Sequence, residues 1–149
     1  MSNNPLLIYL NCEYNQLQSI DVSNNPEIEI LNCSANTISS LDVSENLKLN
    51  ALYCYFNQLT TLDISNNCLL ENLNCKGNQL TSLDVSDNPS LWRMICRDNN
   101  LTSLDVRNNP LLNELEATYN PNLSKIYLKS GHTIETLLID SDITELVYE

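Results

Sequence analysis

Five of the six cysteines in this 149-residue chain lie at a constant spacing, and thiols could support redox chemistry or metal binding. They are 21 residues apart: Cys12, Cys33, Cys54, Cys75 and Cys96. On neighbouring parallel strands such residues would lie about 4.8 Å apart, whereas a disulfide needs Cβ atoms at about 3.8 Å and zinc needs four converging ligands. We therefore expect buried structural thiols, with no metal and no cofactor. Cys68 lies outside the series and is predicted to be an exposed, neutral thiol.

A second series of residues could in principle bind calcium. Its carboxylates also recur every 21 residues: Asp21, Asp42, Asp63, Asp84 and Asp105. Known calcium-binding rows come with short glycine-rich repeats, which this chain lacks, and single carboxylates on separate coils supply too few ligands. We expect each aspartate to face solvent or to accept a hydrogen bond within a turn.

Groups that could catalyse a reaction are scarce. The only histidine, His132, follows Gly131 in an irregular part of the sequence, and we expect a solvated or hydrogen-bonded loop residue there. The sequence contains no nucleophile elbow, Walker loop, zinc motif or paired-carboxylate signature. We therefore predict that the chain is not an enzyme.

The overall composition limits the possible partners. The formal charge is −12, which argues against nucleic acid or anionic lipid, because both are bound through Lys and Arg. No run of about 20 apolar residues could cross a bilayer, so we expect no membrane insertion. The N-terminus lacks the basic and apolar segments of a secretory signal.

The cysteines and aspartates belong to a repeat that fixes the architecture. The unit is L-x-x-L-x-C-x-x-N-x-L-x-x-L-D-V-S-x-N-P-x, well preserved in residues 70–90, LENLNCKGNQLTSLDVSDNPS. It contains a third series, which a buried turn would need to satisfy backbone groups: Asn15, Asn36, Asn57, Asn78, Asn99 and Asn120. The alternation around Leu31 and Cys33 predicts a short strand with one buried face. Asn-Pro pairs such as Asn88-Pro89 are predicted to turn the chain towards the next strand.

The segment L-x-x-L-x-C-x-x-N-x-L resembles the leucine-rich-repeat consensus, with Cys in place of the last strand leucine. The resemblance implies one parallel strand per coil on the concave face of a right-handed superhelix of the α/β horseshoe class. Twenty-one residues leave little room for a helix. We therefore expect a helix-poor β-solenoid with short extended segments, such as Leu41-Asp42-Val43-Ser44, on the convex face.

The 21-residue unit with cysteine on the strand and Asp-Val-Ser after it is similar to the cysteine-type repeats of internalin J and related bacterial surface proteins. Leu31-Asn32-Cys33 and Leu73-Asn74-Cys75 carry this resemblance. It implies adhesion and a location at the cell surface or in the secreted fraction, as part of a longer parent protein. The alternative is a cytoplasmic protein, since the sequence shows no signal peptide.

Residues 1–149 are predicted to form one solenoid domain, with about five and a half regular repeats in residues 2–120 and an irregular cap in residues 121–149. After Asn120 the register slips, and we expect two inserted residues before Leu123. The segment 142–149 looks like a shortened copy of N-x-L-T-x-L-D-V. Ser2-Asn3-Asn4-Pro5 matches residues 23–26, so the first coil is expected to be uncapped. Either the chain is a fragment, or its exposed edge pairs with a second chain.

The concave strand positions are the ones that the repeat leaves free to vary. Aromatic and basic residues collect there, beside predicted outward neighbours such as Ser34, Ala51, Ile95 and Tyr119. Because Tyr, Trp and Arg dominate interface hot spots, we predict a ligand-binding patch of seven residues: Tyr53, Tyr55, Phe56, Lys76, Trp92, Arg93 and Arg97.

Two functions fit these observations. The first is recognition of a protein or glycan on the concave face, within a bacterial surface adhesin. The alternative is a structural or assembly module that pairs through its uncapped N-terminal edge.

Overall fold

The computed structural model of the chain describes residues 4–149. This part of the chain contains no helix and ten short strands. The strands are β1 Tyr9–Asn11, β2 Ile30–Asn32, β3 Ala51–Tyr53, β4 Asn72–Asn74, β5 Arg93–Ile95, β6 Ser103–Asp105, β7 Glu114–Glu116, β8 Lys125–Leu128, β9 Thr136–Leu138 and β10 Glu145–Tyr148. The predicted helix-poor solenoid is confirmed.

The strands form two parallel sheets on different sides of the coils. The first sheet has seven strands in the order β1-β2-β3-β4-β5-β7-β9, and the second has three in the order β10-β8-β6. The register of the first sheet follows the repeat, because Leu10 pairs with Leu31, and Leu31 with Leu52. These central leucines point into the core, where Leu31 and Leu52 are fully buried. The predicted period thus sets which residue of each coil lies above which residue of the next.

The cysteine series lies inside the core. Cys33, Cys54, Cys75 and Cys96 are fully buried, Cys12 in the first coil is half-buried, and Cys68 is exposed. Burial raises the pKa of the Cys33 and Cys75 thiols to about 12, because a thiolate there would lose its hydration. All six thiols are free. The cysteines therefore act as small hydrophobic residues that fill the space behind each strand.

The predicted asparagine series binds the backbone of two coils at once. The Nδ2 group of Asn78 donates to the carbonyl oxygens of Cys54 at 3.0 Å and Cys75 at 2.9 Å, and Oδ1 accepts the Leu59 amide at 3.0 Å. Asn36, Asn57, Asn99 and Asn120 repeat this arrangement. Each side chain satisfies backbone groups of its own coil and of the coil before it, so it fixes both the turn and the stacking.

A second asparagine ladder was not predicted as such. It consists of the asparagines of the Asn-Pro type turns, all fully buried: Asn25, Asn46, Asn67, Asn88 and Asn109. The Asn67 Nδ2 group donates to Val43 O at 3.1 Å and Asn46 O at 3.0 Å, both in the preceding coil. The sequence predicted only that these residues turn the chain towards the next strand. Their side chains in fact connect successive turns through the interior.

The aspartate series caps the turn that follows the convex segment. Asp63 Oδ1 accepts the Ser65 amide at 3.0 Å and the Ser65 hydroxyl at 2.7 Å, which confirms the predicted turn role. The backbone hydrogen bond is the main reason why the pKa of Asp63 is lowered, and the same holds for Asp42 and Asp84. Within residues 4–149, no group of three or more His, Cys, Asp or Glu side chains could hold a metal ion.

The last coils continue the stack with a changed register. Leu104 pairs with Ile126 and Leu115 with Leu137, a step of 22 residues. One residue is therefore inserted after Asn120, and the predicted insertion of two is wrong. The sequence Asn120-Pro121-Asn122-Leu123 replaces N-x-L with N-x-x-L, and a turn absorbs the extra residue. Strand β10 pairs with β8, as expected for a shortened copy of the convex segment. At the other end, the matched segment 2–5 lies partly outside the described residues.

The second ladder predicts unequal effects at two adjacent asparagines. Asn109→Ala removes the donor for Val85 O and Asn88 O, buried carbonyls at 2.8 and 2.9 Å, and should lower the free energy of unfolding by about 2–4 kcal/mol. Asn108→Ala is the matched control, because Asn108 is exposed and its loss should cost no more than about 0.5 kcal/mol. Urea unfolding measures both. Equal destabilisation would contradict the ladder.

The burial of the cysteines predicts a graded reaction with Ellman's reagent. In the folded protein, Cys68 should react fast and Cys12 slowly, whereas the other four thiols should react only after unfolding, because they are buried and their pKa is raised. Cys68→Ser should remove the fast phase. Rapid labelling of Cys33, Cys54, Cys75 or Cys96 in the folded chain would contradict the structural assignment.

The aspartate caps predict a loss of stability in acid. The folded-state pKa of Asp42, Asp63 and Asp84 is lower than in the unfolded chain, so their stabilisation is complete above about pH 5 and is lost as the pH falls through the folded pKa. The melting temperature should therefore fall between about pH 5 and 3. In the triple variant Asp42→Asn, Asp63→Asn, Asp84→Asn, the amide oxygen can still cap the turn, so the decrease should be shallower. An unchanged slope would refute this role.

Candidate functional site on the concave face

The concave face is built from the residues on either side of the central residue of each strand in the first sheet, which is Met94 in β5 and leucine in the other strands of this sheet. Tyr53 ends β3 and Arg93 begins β5, and both are half-buried. Tyr55, Lys76 and Arg97, which are also half-buried, occupy equivalent positions just after β3, β4 and β5. The predicted outward neighbours Ser34, Ala51 and Ile95 are instead buried. They are therefore not available to a ligand.

A polar cluster fixes Tyr55. Its hydroxyl donates to the carboxylate of Glu13 two coils away, and Glu13 also accepts the Nδ2 group of Asn32 at 2.9 Å. The hydrogen bond to Glu13 is the main cause that raises the pKa of Tyr55 to about 12. The hydroxyl of Tyr55 is therefore engaged within the protein, and the ring is the part of Tyr55 that can contact a ligand.

Phe56 lies next to Tyr55 and is held by three neighbours. The Tyr55 and Phe56 rings meet edge to face, with centroids 5.6 Å apart and an interplanar angle of 83°. The Lys76 ammonium lies 4.7 Å from the centroid of the Phe56 ring. On the next coil, a Cβ atom added to Gly77 would lie 2.4 Å from Phe56 Cδ1. Glycine at this position therefore leaves the space that the Phe56 ring fills.

The two arginines of the predicted patch are held by separate partners. Arg93 Nε lies 2.7 Å from a carboxylate oxygen of Glu114, its register partner on β7. Arg97 Nε lies 3.2 Å from Asp98, and its guanidinium carbon lies 5.3 Å from the centroid of the Tyr119 ring. Because these pairs are partly exposed, each adds little to stability. They do, however, restrict the positions of both guanidinium groups.

The structure thus places the seven predicted residues in several small groups. Tyr55, Phe56 and Lys76 form one group, while Arg93 and Arg97 each lie in another. Trp92 precedes β5, one residue before the outward position of Arg93, and it is about half exposed. Neither Trp92 nor Tyr53 makes a ring contact or a side-chain hydrogen bond to these groups within residues 4–149.

Four further residues belong to this face but were absent from the predicted patch. They are Glu13, Gly77, Asp98 and Tyr119. The glycine at the position just before Asn78 was the available signal, because a repeat position that accepts glycine can have a left-handed backbone. Gly77 has φ +65°, and the equivalent residues Phe56 and Tyr119 have φ 51° and 57°.

None of the five cavities is lined by a residue of the predicted patch. Volumes of about 300, 420 and 350 Å³ lie on the convex side, between Asp42 and Asp105. A fourth, of about 470 Å³, is lined by Tyr14 and Ala35 at the edge of the concave sheet, and a fifth, of about 370 Å³, is lined by Lys129, Ser130 and His132. The His132 Nε2 atom lies 2.9 Å from Leu112 O, and its Nδ1 atom has no hydrogen-bond partner among the described residues. No described hydroxyl or thiol is therefore paired with this imidazole as an activated nucleophile would be.

Comparison with known proteins supports the assignment of the repeat. No protein-family model matches the chain, and no curated protein matches it. Among solved structures, it is similar to the functional domain of internalin J from Listeria monocytogenes, which includes a cysteine ladder. The sequences are 34% identical, the match covers 91% of this chain and 33% of that domain, and the TM-score is 0.77.

Two other solved structures show the same fold. The internalin InlF from Listeria monocytogenes is 22% identical over 93% of this chain and 49% of its own, with a TM-score of 0.75. YopM from Yersinia enterocolitica is 22% identical over 97% of this chain and 42% of its own, with a TM-score of 0.60. The chain spans between a third and a half of the length of these proteins.

The structures to which the chain is similar are leucine-rich-repeat proteins, whose repeats build recognition or scaffold domains. The 21-residue step between strands β1 to β5, the buried cysteines and the structural match all support the same assignment of the repeat. The chain is a leucine-rich-repeat protein of the cysteine-ladder type, similar in its repeats to internalin J.

Proposed function

We propose that the chain recognises a protein ligand through its concave face. Leucine-rich-repeat proteins are typically protein-interaction modules. The observation that carries the proposal is the set of half-exposed aromatic and basic side chains on the concave face, several of which are held by ring contacts and ion pairs. The binding residues are the predicted seven: Tyr53, Tyr55, Phe56, Lys76, Trp92, Arg93 and Arg97.

The arrangement suits binding because its side chains are already restrained. Ordering a long side chain on binding costs about 0.5–1.5 kcal/mol. Glu114 and Asp98 already restrain Arg93 and Arg97, and Glu13 restrains Tyr55. Less conformational entropy is therefore lost when a ligand covers these residues. Trp92 adds a half-exposed ring beside Arg93.

A glycan is the second class of ligand that the same face could bind, because aromatic rings can stack on sugars. The charge of −12 disfavours nucleic acid, and the described residues contain no helix able to span a membrane.

By similarity to internalin repeats, we propose an adhesin-type role at the bacterial cell surface or in the secreted fraction, within a longer parent protein. A cytoplasmic recognition module is the alternative.

One observation favours assembly as a second candidate function. Within residues 4–149, strand β1 has a neighbour only on the side of β2. The large apolar residues Leu6, Ile8 and Tyr9 near this edge are exposed. An unpaired parallel edge with apolar side chains can add a strand from a second copy of the chain.

A panel of immobilised, purified surface proteins and glycans tests the proposal, with the folded chain as the soluble probe. Tyr53→Ala and Arg93→Ala should each weaken binding to a protein of the panel about tenfold, which corresponds to about 1.4 kcal/mol. Asn108→Ala on the convex side should leave the affinity unchanged. Dissociation constants can be measured by biolayer interferometry, with circular dichroism as a check on folding.

Two results would contradict concave-face recognition of a protein. One is full affinity in both concave variants together with weaker binding by the convex variant. The other is binding to glycans of the panel and to no protein. A mass in light scattering that rises with concentration, combined with no binding at all, would favour assembly through β1.

A further inference from the structure

The predicted asparagine series, Asn15 to Asn120, forms the first ladder. The residue before each of these asparagines has a left-handed backbone. Residues at this position form a row along the edge of the concave sheet where the strands end: Tyr14, Ala35, Phe56, Gly77, Asp98 and Tyr119. Their φ angles lie between 51° and 65°. Residues other than glycine, asparagine and aspartate seldom adopt this conformation, and bulky ones are outliers. The repeat thus places side chains at a position where glycine would be least strained.

Three members of this left-handed row are exposed aromatics. The exposed fractions of Tyr14, Phe56 and Tyr119 are 77%, 49% and 64%. Alanine, glycine and aspartate occupy the same position in the other coils, so the turn does not require an aromatic ring. Strained residues that add little to the core are characteristic of functional sites. The fold therefore does not require these three rings, and their role is to be sought in binding.

Two cations lie over these rings. Lys76 covers Phe56 at 4.7 Å, and Arg97 covers Tyr119 at 5.3 Å. Arg97 forms an ion pair with Asp98, whereas Lys76 forms no ion pair with any residue in the range 4–149. In a chain of net charge −12, this edge combines positive charge with exposed apolar rings. A complementary partner needs carboxylates beside apolar side chains.

The spacing of the three rings along the row predicts the length of the segment that could contact all of them. Phe56 lies two coils from Tyr14 and three coils from Tyr119, so at about 4.8 Å per coil the rings span about 24 Å. An extended peptide of about seven or eight residues covers this distance at about 3.3 Å per residue. Lys76 and Arg97 lie on adjacent coils within this span, so two carboxylates of such a peptide could reach them.

We propose that Tyr14, Phe56 and Tyr119, together with Lys76 and Arg97, form a docking strip for an extended acidic polypeptide segment with interspersed apolar side chains. The proposal rests on the protein-recognition function proposed above and names the chemistry of the partner. Gly77 is a positioning residue in this strip, because its missing Cβ atom leaves space for the Phe56 ring.

A phage-displayed random dodecapeptide library, selected against the folded chain, supplies the probe. The selected peptides should be rich in Asp and Glu beside apolar residues, and their affinity should fall with rising salt. Phe56→Gly and Tyr119→Gly should each weaken binding at least tenfold. Because glycine relieves the left-handed backbone, their melting temperatures should stay within a few degrees of the parent or rise. A merely structural role for the rings would lower the melting temperature.

Two further variants complete the test. Lys76→Met should abolish the preference for acidic peptides. Leu111→Ala is the matched control, because the exposure of Leu111 lies between that of Phe56 and that of Tyr119 but the residue lies in the turn that precedes β7, and this variant should bind like the parent chain. Dissociation constants of the synthetic peptides can be measured by fluorescence anisotropy.

The possible failures separate the two proposals. Selected peptides without acidic residues, or full affinity in Phe56→Gly and Tyr119→Gly together with loss in Tyr53→Ala and Arg93→Ala, would overturn the docking strip and leave concave-face recognition intact. Full affinity in all four variants would overturn both. Enrichment of no peptide, with binding of the same chain to charged glycans, would also overturn the strip.

Discussion

Buried amide side chains hold one coil on the next, and the rest of the molecule depends on this interaction. From Asn36 onwards, each asparagine of the first ladder, such as Asn78, bonds to backbone groups of its own coil and of the preceding one. The side chains of the second ladder, such as that of Asn67, donate to carbonyl oxygens of the preceding coil in the opposite turn. The strands have only three or four residues each, so their own ladder bonds are few. The amides supply the additional bonds that a thin, helix-free coil needs.

The architecture was largely predictable from the sequence because stacking converts a linear period into a spatial one. The 21-residue step of the cysteines, aspartates and first-ladder asparagines correctly placed Cys54 in the core and Asp63 in a capped turn. The second ladder was not recognised, because asparagine before proline is also typical of an exposed turn. Only the three-dimensional stack shows that Asn88 and Asn109 face inward.

The candidate site was less predictable, for reasons specific to its residues. Alternation alone assigns Ala51 and Ile95 to the surface, but the neighbouring coils cover them. Partners on other coils, such as Glu13 for Tyr55 or Tyr119 for Arg97, depend on side-chain conformations that a linear pattern does not contain. The left-handed backbone of Phe56 and Tyr119 was equally hidden, since only Gly77 and Asp98 in that row have residue types that indicate it.

The fixed register of the stack has a consequence for how such a surface can vary. Each coil contacts chiefly its neighbours, so whole 21-residue units can be gained or lost without disturbing the remaining ones. Removing the unit that contains Gly77 would bring Phe56 and Tyr119 closer by one strand spacing, about 4.8 Å, while leaving both rings on the same edge. Distances along the concave edge can therefore change only in discrete steps. The backbone, through its strand spacing, therefore sets the distances between binding residues on different coils, and the side chains determine only what is bound at each position.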